Sequence, residues 1–346
     1  KNTAGWWAED AISETEFVNA IAFLIKEDII KIDETTASTN SKSVPEWVKN
    51  TAGWWAEDAI SETEFVNAIT YLVNVGIIST DKQNEIINFE YLQKTVIKKD
   101  AEIKLNSDGF RDVEINEKPS NIYRIFIIGG STVFGDGVES DETIPSYVQK
   151  KFDDLNLGKK IQVINAGIPS SWSATEYTMI NDKIMNYEPD FLIIYGGWND
   201  LDRFTGSGAY AANPNWWGER QSIICDRANE SNIEVMIALQ PFVGTGERIL
   251  THQEYILHFD GKSVSGNYIS DYELYANQLK NLENNCSKTL DLRNVFDNVY
   301  TPIYWDVVHL GAKGNEIISE QIFEYALPIV LNSIGNSEDY EITKKN

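Results

Sequence analysis

Histidine, cysteine and basic charge are all scarce in this 346-residue chain, which holds three His, two Cys and 29 Lys plus Arg against 53 Asp plus Glu. Each scarcity removes a class of function. The net charge of −24 creates a negative potential that repels phosphate backbones, and no basic run interrupts it, so no nucleic acid partner is expected. Free anionic substrates are disfavoured on the same ground. Long apolar runs are missing too: nothing approaches the roughly 20 residues that span a bilayer, and the longest candidates are strand-length, such as "FLIIY" at 191–195. No transmembrane segment is expected. Cys225 and Cys286 match no zinc or redox spacing, which leaves a disulfide in an exported protein or two buried thiols as about equal readings. The sequons "NES" at 229 and "NCS" at 285 are compatible with export. His252 and His258, in "THQEYILHFD", read as part of a solvated segment rather than a metal pair. No cofactor or metal is expected.

What is present begins with a repeat. "KNTAGWWAEDAISETEFVNAI" at 1–21 recurs verbatim at 49–69. Ser13 with Glu16, and Ser61 with Glu64, form capping boxes ahead of apolar stripes at helical spacing: Phe17, Ala20, Ile21, Leu24 and Ile25, then Phe65, Ala68, Ile69, Leu72 and Val73. Pro45 suits a first helical position. Each copy therefore reads as a small helical hairpin, over 1–31 and 45–80, with 32–44 as a polar linker and 81–105 as a connecting helical segment. The paired tryptophans offer a platform for sugar rings, but a hairpin this small also needs bulky residues to fill its only core, and that reading is favoured. The chain starts at Lys1 inside a repeated motif, so removal of a leader or upstream sequence is expected. These repeats resemble the "AGWWA…I" units found, often in tandem, in predicted surface proteins of ammonia-oxidising archaea. That resemblance implies a surface location, and with it a glycan or protein partner, more than an activity.

From about residue 120 the pattern changes to apolar runs, "YRIFIIGG", "KIQVINAG", "DFLIIYGG" and "IEVMIALQ", alternating with amphipathic segments. Alternation of this kind builds a parallel sheet covered by helices on both faces, with working residues at the carboxyl ends of the strands. The turn "GGSTVFGDG" at 129–137 is either a phosphate cradle or the mount for a nucleophile. Gly130 and Gly135 have P-loop separation, but Asp136 and Gly137 stand where Lys and Ser or Thr are required. Nucleotide binding fails on that point. A nucleophilic serine needs a base, an orienting acid and oxyanion donors. His309 lies three residues after Asp306 in "YWDVVHLGAKG", and Gly167 and Asn199 follow strands and can donate N–H groups to a developing oxyanion.

Taken in order, "GGST" with Ser131, "NAG" with Gly167, "GWND" with Asn199 and "DVVH" with Asp306 and His309 resemble the four blocks of the SGNH hydrolases, also called GDSL-type esterases. The resemblance spans roughly 106–330. It implies a flavodoxin-like three-layer α/β/α domain, here over 106–335 before a polar tail at 336–346, preceded by the all-α repeats. It further implies Ser131 as nucleophile, His309 as base, Asp306 as its orienting acid, and an oxyanion hole of Ser131 N–H, Gly167 N–H and the Asn199 amide. One departure is visible: the family's Gly-Asp-Ser is Gly129-Gly130-Ser131 here, and "GFR" at 109–111, ahead of "GGST", resembles a branch of the family with this same glycine. Absence of Gly-x-Ser-x-Gly argues against the α/β-hydrolase fold.

Trp172, Trp198 and Trp305 adjoin the site blocks, and "FTGSGAYAANPNWWGE" at 204–219 is a glycine- and aromatic-rich insertion. An aromatic-lined pocket suits an acetylated sugar or a short acyl chain; core or lid packing is the other reading. The expected activity is hydrolysis of a carboxylic ester, such as an O-acetylated glycan, outside the cell or at its surface. The alternatives are acyl transfer by the same site, or a noncatalytic adhesion protein working through its repeats.

Overall fold

The computed structural model describes residues 1–12, 14–26, 30, 44–74, 77–78, 103–248, 250–251, 254 and 267–335. The linker before residue 44, the connecting segment up to residue 102, the tail at 336–346, Ser13, His252 and His258 lie outside the described residues. The chain divides into two units, 1–92 and 93–346.

In the first unit the duplicated sequence builds duplicated structure: α1 (Asn2–Ala8) and α2 (Glu14–Lys26), then α3 (Glu46–Ala56) and α4 (Glu62–Asn74). Ser61 and Glu64 make the capping box, with Glu64 N–H donating to Ser61 Oγ and Ser61 N–H to the Glu64 carboxylate. Pro45 sits one position earlier than its sequence suggests, as the N-cap of α3. The copies share one core rather than standing apart. Gly5 of α1 lies against the Ala56 methyl and Gly53 of α3 against the Ala8 methyl, while Lys1 pairs with Asp58 and Lys49 with Asp10. Those pairs are reciprocal, as self-complementary packing of two equal copies requires. The second tryptophan of each doublet faces inward: Trp7 stacks on Phe17 and Trp55 on Phe65, both at 3.9 Å between ring centroids. Trp54 of the second doublet and Trp47 are exposed.

The second unit is a three-layer α/β/α domain. The four apolar runs form parallel strands β1 (Ile122–Gly129), β2 (Lys160–Gly167), β3 (Phe191–Gly196) and β4 (Glu234–Leu239), in a sheet of order β2-β1-β3-β4-β5. The fifth strand, β5 (Lys288–Asp291), is short and, among the described residues, pairs with β4 alone. Alternate side chains sort onto the two faces. Ile125, Ile127, Ile193 and Met236 pack with the helices Ile144–Asp153 and Ala312–Ile334. Phe126, Ile128, Leu192, Ile194 and Ile237 pack with Ser173–Asp182, Pro214–Glu230 and Tyr268–Asn281. Cys225 and Cys286 form a disulfide that ties the second of these helices to the turn before β5. Among the described residues, no helix is long and apolar enough to cross a membrane.

Candidate active site

Strand β1 ends at Gly129, and the chain turns through Gly130 into a one-turn helix, Ser131–Phe134. The turn sets Ser131 at the carboxyl edge of the sheet. The opposing wall is a hairpin-like loop closed by a bridge between Tyr304 and Leu310, with Trp305 N–H donating to the His309 carbonyl at 3.1 Å. Inside that loop Asp306 Oδ1 accepts the backbone N–H groups of Val308 (2.9 Å) and His309 (2.7 Å). Its other oxygen meets His309 Nδ1 at 2.6 Å, and His309 Nε2 lies 2.6 Å from Ser131 Oγ. An ionised carboxylate only accepts, so Nδ1 carries the ring proton and Nε2 is left to accept from the serine hydroxyl. Burial pushes the Asp306 carboxyl up, but the His309 hydrogen bond and charge, with the two backbone donors, outweigh it and hold the group below its ordinary value. Asp306 stays ionised.

The loop bearing Asp306 and His309 is fixed from behind. Arg248 and Glu254 form an ion pair in which both side chains are almost fully buried. Glu254 Oε1 accepts the N–H groups of Ile303 (3.0 Å) and Tyr304 (3.2 Å), while Arg248 donates to the carbonyls of Val299 and Thr301. Every charge is matched by hydrogen bonds, as burial of an ion pair demands. Trp305 stacks on the His309 ring at 4.8 Å and 14°. It packs flat on the His309 ring and is itself half-buried.

Asn199 lies in a one-turn helix, Trp198–Leu201, just after β3. One of its amide hydrogens is donated to the Ser171 carbonyl at 2.6 Å. The amide sits close over Gly130, where an added Cβ would come within 2.5 Å of Asn199 Nδ2. The absence of a side chain at Gly130 thus leaves room for the Asn199 amide. Gly130→Ala should therefore displace that amide and lower kcat on an activated ester by about 10- to 100-fold, a fraction of the loss expected when an oxyanion donor is removed outright. Unchanged kcat with an intact circular dichroism spectrum would show that the amide does not act there.

Gly167 is placed differently from its sequence reading. Its N–H is donated to Asn165 Oδ1 at 3.0 Å, so it is not free to meet an oxyanion. Its contribution is the missing side chain: a Cβ there would lie 2.1 Å from Phe134 N, inside the helix that carries Ser131. Two donors remain as candidates beside Ser131: the Asn199 amide, which sits over Gly130, and the Ser131 N–H, which heads its helix with no side-chain cap from Gly130.

The three tryptophans separate. Trp198 is a core residue, packed on Phe242 and Tyr268 and not available to substrate. Trp172, next to Ser171, is half-buried, with the Arg203 and Arg220 guanidinium groups 5.5 and 5.2 Å from its ring. Its neighbour Ser171 accepts the Asn199 amide hydrogen.

Several supporting residues escape a sequence reading. Arg111, within the "GFR" already noted, donates to the carbonyls of Phe134, Gly135 and Val138 and clamps the turn after Ser131. Asp200, inside "GWND", accepts the Ser173 N–H at 3.0 Å and also the Ser173 hydroxyl, locking the Asn199 helix to the loop that holds Trp172. Burial pushes Asp200 up to about 6, against the pull of the Ser173 bonds and of Arg220 and Arg203. Glu176, buried nearby, is pushed up to about 8 by burial and then by the Asp200 charge. Both folded-state values exceed the ordinary ones, so the folded protein holds these protons more tightly than the unfolded chain. The resulting stability is complete at acid pH and is lost as pH rises through about 6 and then about 8. Glu176→Gln removes the second titration. Its melting temperature relative to wild type should rise as the pH climbs from the ordinary value of 4.5 to about 8 and level off above that, whereas a flat difference across this range would contradict this account.

Among the described residues no group of three or more His, Cys, Asp or Glu is placed to hold a metal ion. No protein-family model matches the chain, and no curated protein matches it. Solved structures similar to it include an acetyl xylan esterase at 17% identity, covering 58% of this chain and 98% of that one with a TM-score of 0.45. An acetylxylan esterase from Geobacillus stearothermophilus is 14% identical, with 59% and 93% covered and a TM-score of 0.45. A protein described as lipolytic and of the G-D-S-L family, from Desulfitobacterium hafniense DCB-2, is 16% identical, with 58% and 98% covered and a TM-score of 0.43. At identities and scores this low, what the site does rests on its own geometry.

Proposed function

We propose that the second unit is a serine ester hydrolase acting on a carboxylic ester, with an O-acylated glycan as the substrate class. The observation that carries this reading is the continuous relay from Asp306 to His309 to Ser131, with both links at 2.6 Å. Ser131 Oγ attacks the ester carbonyl carbon as its proton passes to His309 Nε2. The resulting imidazolium is stabilised by ionised Asp306, and the oxyanion by the Ser131 N–H and the Asn199 amide. Collapse breaks the bond to the alcohol, whose oxygen takes the proton from Nε2. Water then repeats the sequence on the acyl-serine, releasing the acid and restoring the serine hydroxyl. An alcohol in place of water would give acyl transfer by the same steps. Acetate release from p-nitrophenyl acetate, abolished by Ser131→Ala, tests the hydrolytic reading. Transfer to an added sugar with no free acid would replace it with the acyltransferase reading.

The Cys225–Cys286 disulfide supports an exported or surface location, because such bonds persist in oxidising compartments. The exposed Trp47 and Trp54 support a role for the repeats in binding a surface glycan or protein.

A further inference from the structure

The turn that follows the nucleophile carries a second carboxylate into the site. Asp136 Oδ2 lies 4.0 Å from His309 Nε2, the nitrogen that also meets Ser131 Oγ, and the Asp136 side chain is about one third exposed at 37%. This side chain takes no part in the relay, where Asp306 already holds Nδ1. Its position is nonetheless well fixed. Arg111 donates to the carbonyls of Phe134, Gly135 and Val138 on either side of it, and Asp136 N–H donates to the Ser131 carbonyl at 3.1 Å. Gly137 is covered by the Trp305 indole, the same ring that stacks on His309. Base, nucleophile and Asp136 are thereby held in one frame.

In the step that expels the alcohol, the leaving oxygen must come within hydrogen-bond reach of Nε2, about 2.8 Å. A carboxylate oxygen 4.0 Å from that nitrogen is then close enough to meet a group a few bonds beyond the leaving oxygen, such as a hydroxyl on the carbon next to the esterified one. An ionised carboxylate accepts and cannot donate. It therefore rewards a hydroxyl at that place, gives nothing to a methyl or an ether there, and repels a negative charge.

We infer that Asp136 is a specificity-determining residue that accepts a hydrogen bond from a hydroxyl on the carbon next to the esterified one. The substrate class is the monoester of a vicinal diol, as in a partly acylated sugar ring. This rests on the esterase reading above and narrows it from esters in general to esters of one kind of alcohol.

The test compares 2-hydroxyethyl acetate with 2-methoxyethyl acetate, which share the acyl group and nearly the same size but differ in the hydroxyl donor. Wild-type kcat/KM should favour the hydroxy ester by about tenfold or more, the discrimination expected of one hydrogen bond to a charged acceptor. Asp136→Ala should bring the ratio close to one, with Asp136→Asn, a neutral acceptor, in between. Hydrolysis that depends on Ser131, with a ratio that Asp136→Ala leaves unchanged, would overturn this inference and leave the esterase reading standing. Hydrolysis that Ser131→Ala does not reduce would overturn both.

Discussion

Ser131→Ala should lower kcat on p-nitrophenyl acetate by about 10³-fold or more while leaving the circular dichroism spectrum unchanged. The hydroxyl is bonded to His309 Nε2 in a half-buried position, so its loss costs the fold little. Among the described residues no other hydroxyl is bonded to His309. Thr132, the next residue, is buried with its hydroxyl 3.5 Å from Gln240 Oε1, and no bond joins it to His309. What survives in the variant is polarisation of the ester by the remaining donors, which supports only a small residual rate. A loss of less than about tenfold would mean that another group attacks the ester.

Asp306→Asn should cost about as much, near 10⁴-fold in kcat, although it replaces one atom and preserves shape. The reason lies in the two backbone donors. Val308 N–H and His309 N–H both point at Asp306 Oδ1, so an asparagine must turn its carbonyl oxygen towards them. Its NH2 then faces His309 Nδ1 and can only donate. That forces the ring proton onto Nε2, which can no longer accept the Ser131 proton. The defect is a wrong tautomer rather than a lost contact, so KM should change far less than kcat. Retention of kcat within about tenfold would show that the Asp306 charge and orientation are dispensable.

The layout of the second unit was legible because it depends on short-range patterns. Four apolar runs ending in glycine or glutamine became β1 to β4, and the blocks behind them met at one edge, as strand ends in a parallel sheet must. Strand β5 escaped because a short, half-exposed strand needs little apolar sequence: "KTLD" holds a single buried leucine. Side-chain direction was less legible than position. Trp198 and Trp305 do adjoin the site blocks, yet one turns into the core and the other onto His309. Gly167 ends its strand instead of following it, and only the structure shows that Asn165 takes its N–H. The Arg248–Glu254 clasp joins residues that are near in sequence to a loop some fifty residues away, a pairing no local pattern announces. In the repeats, the stripes and the capping box marked the helices. The shared core between copies follows from self-complementarity, which a duplication permits without specifying.

The central claim is that Ser131 is a nucleophile activated by His309, and covalent capture tests it without choosing a substrate. A fluorophosphonate probe should modify the protein once, with peptide mass spectrometry placing the adduct on Ser131, and His309→Ala should abolish labelling. Labelling at another residue, or an unreactive Ser131 in the correctly folded protein, would contradict the account.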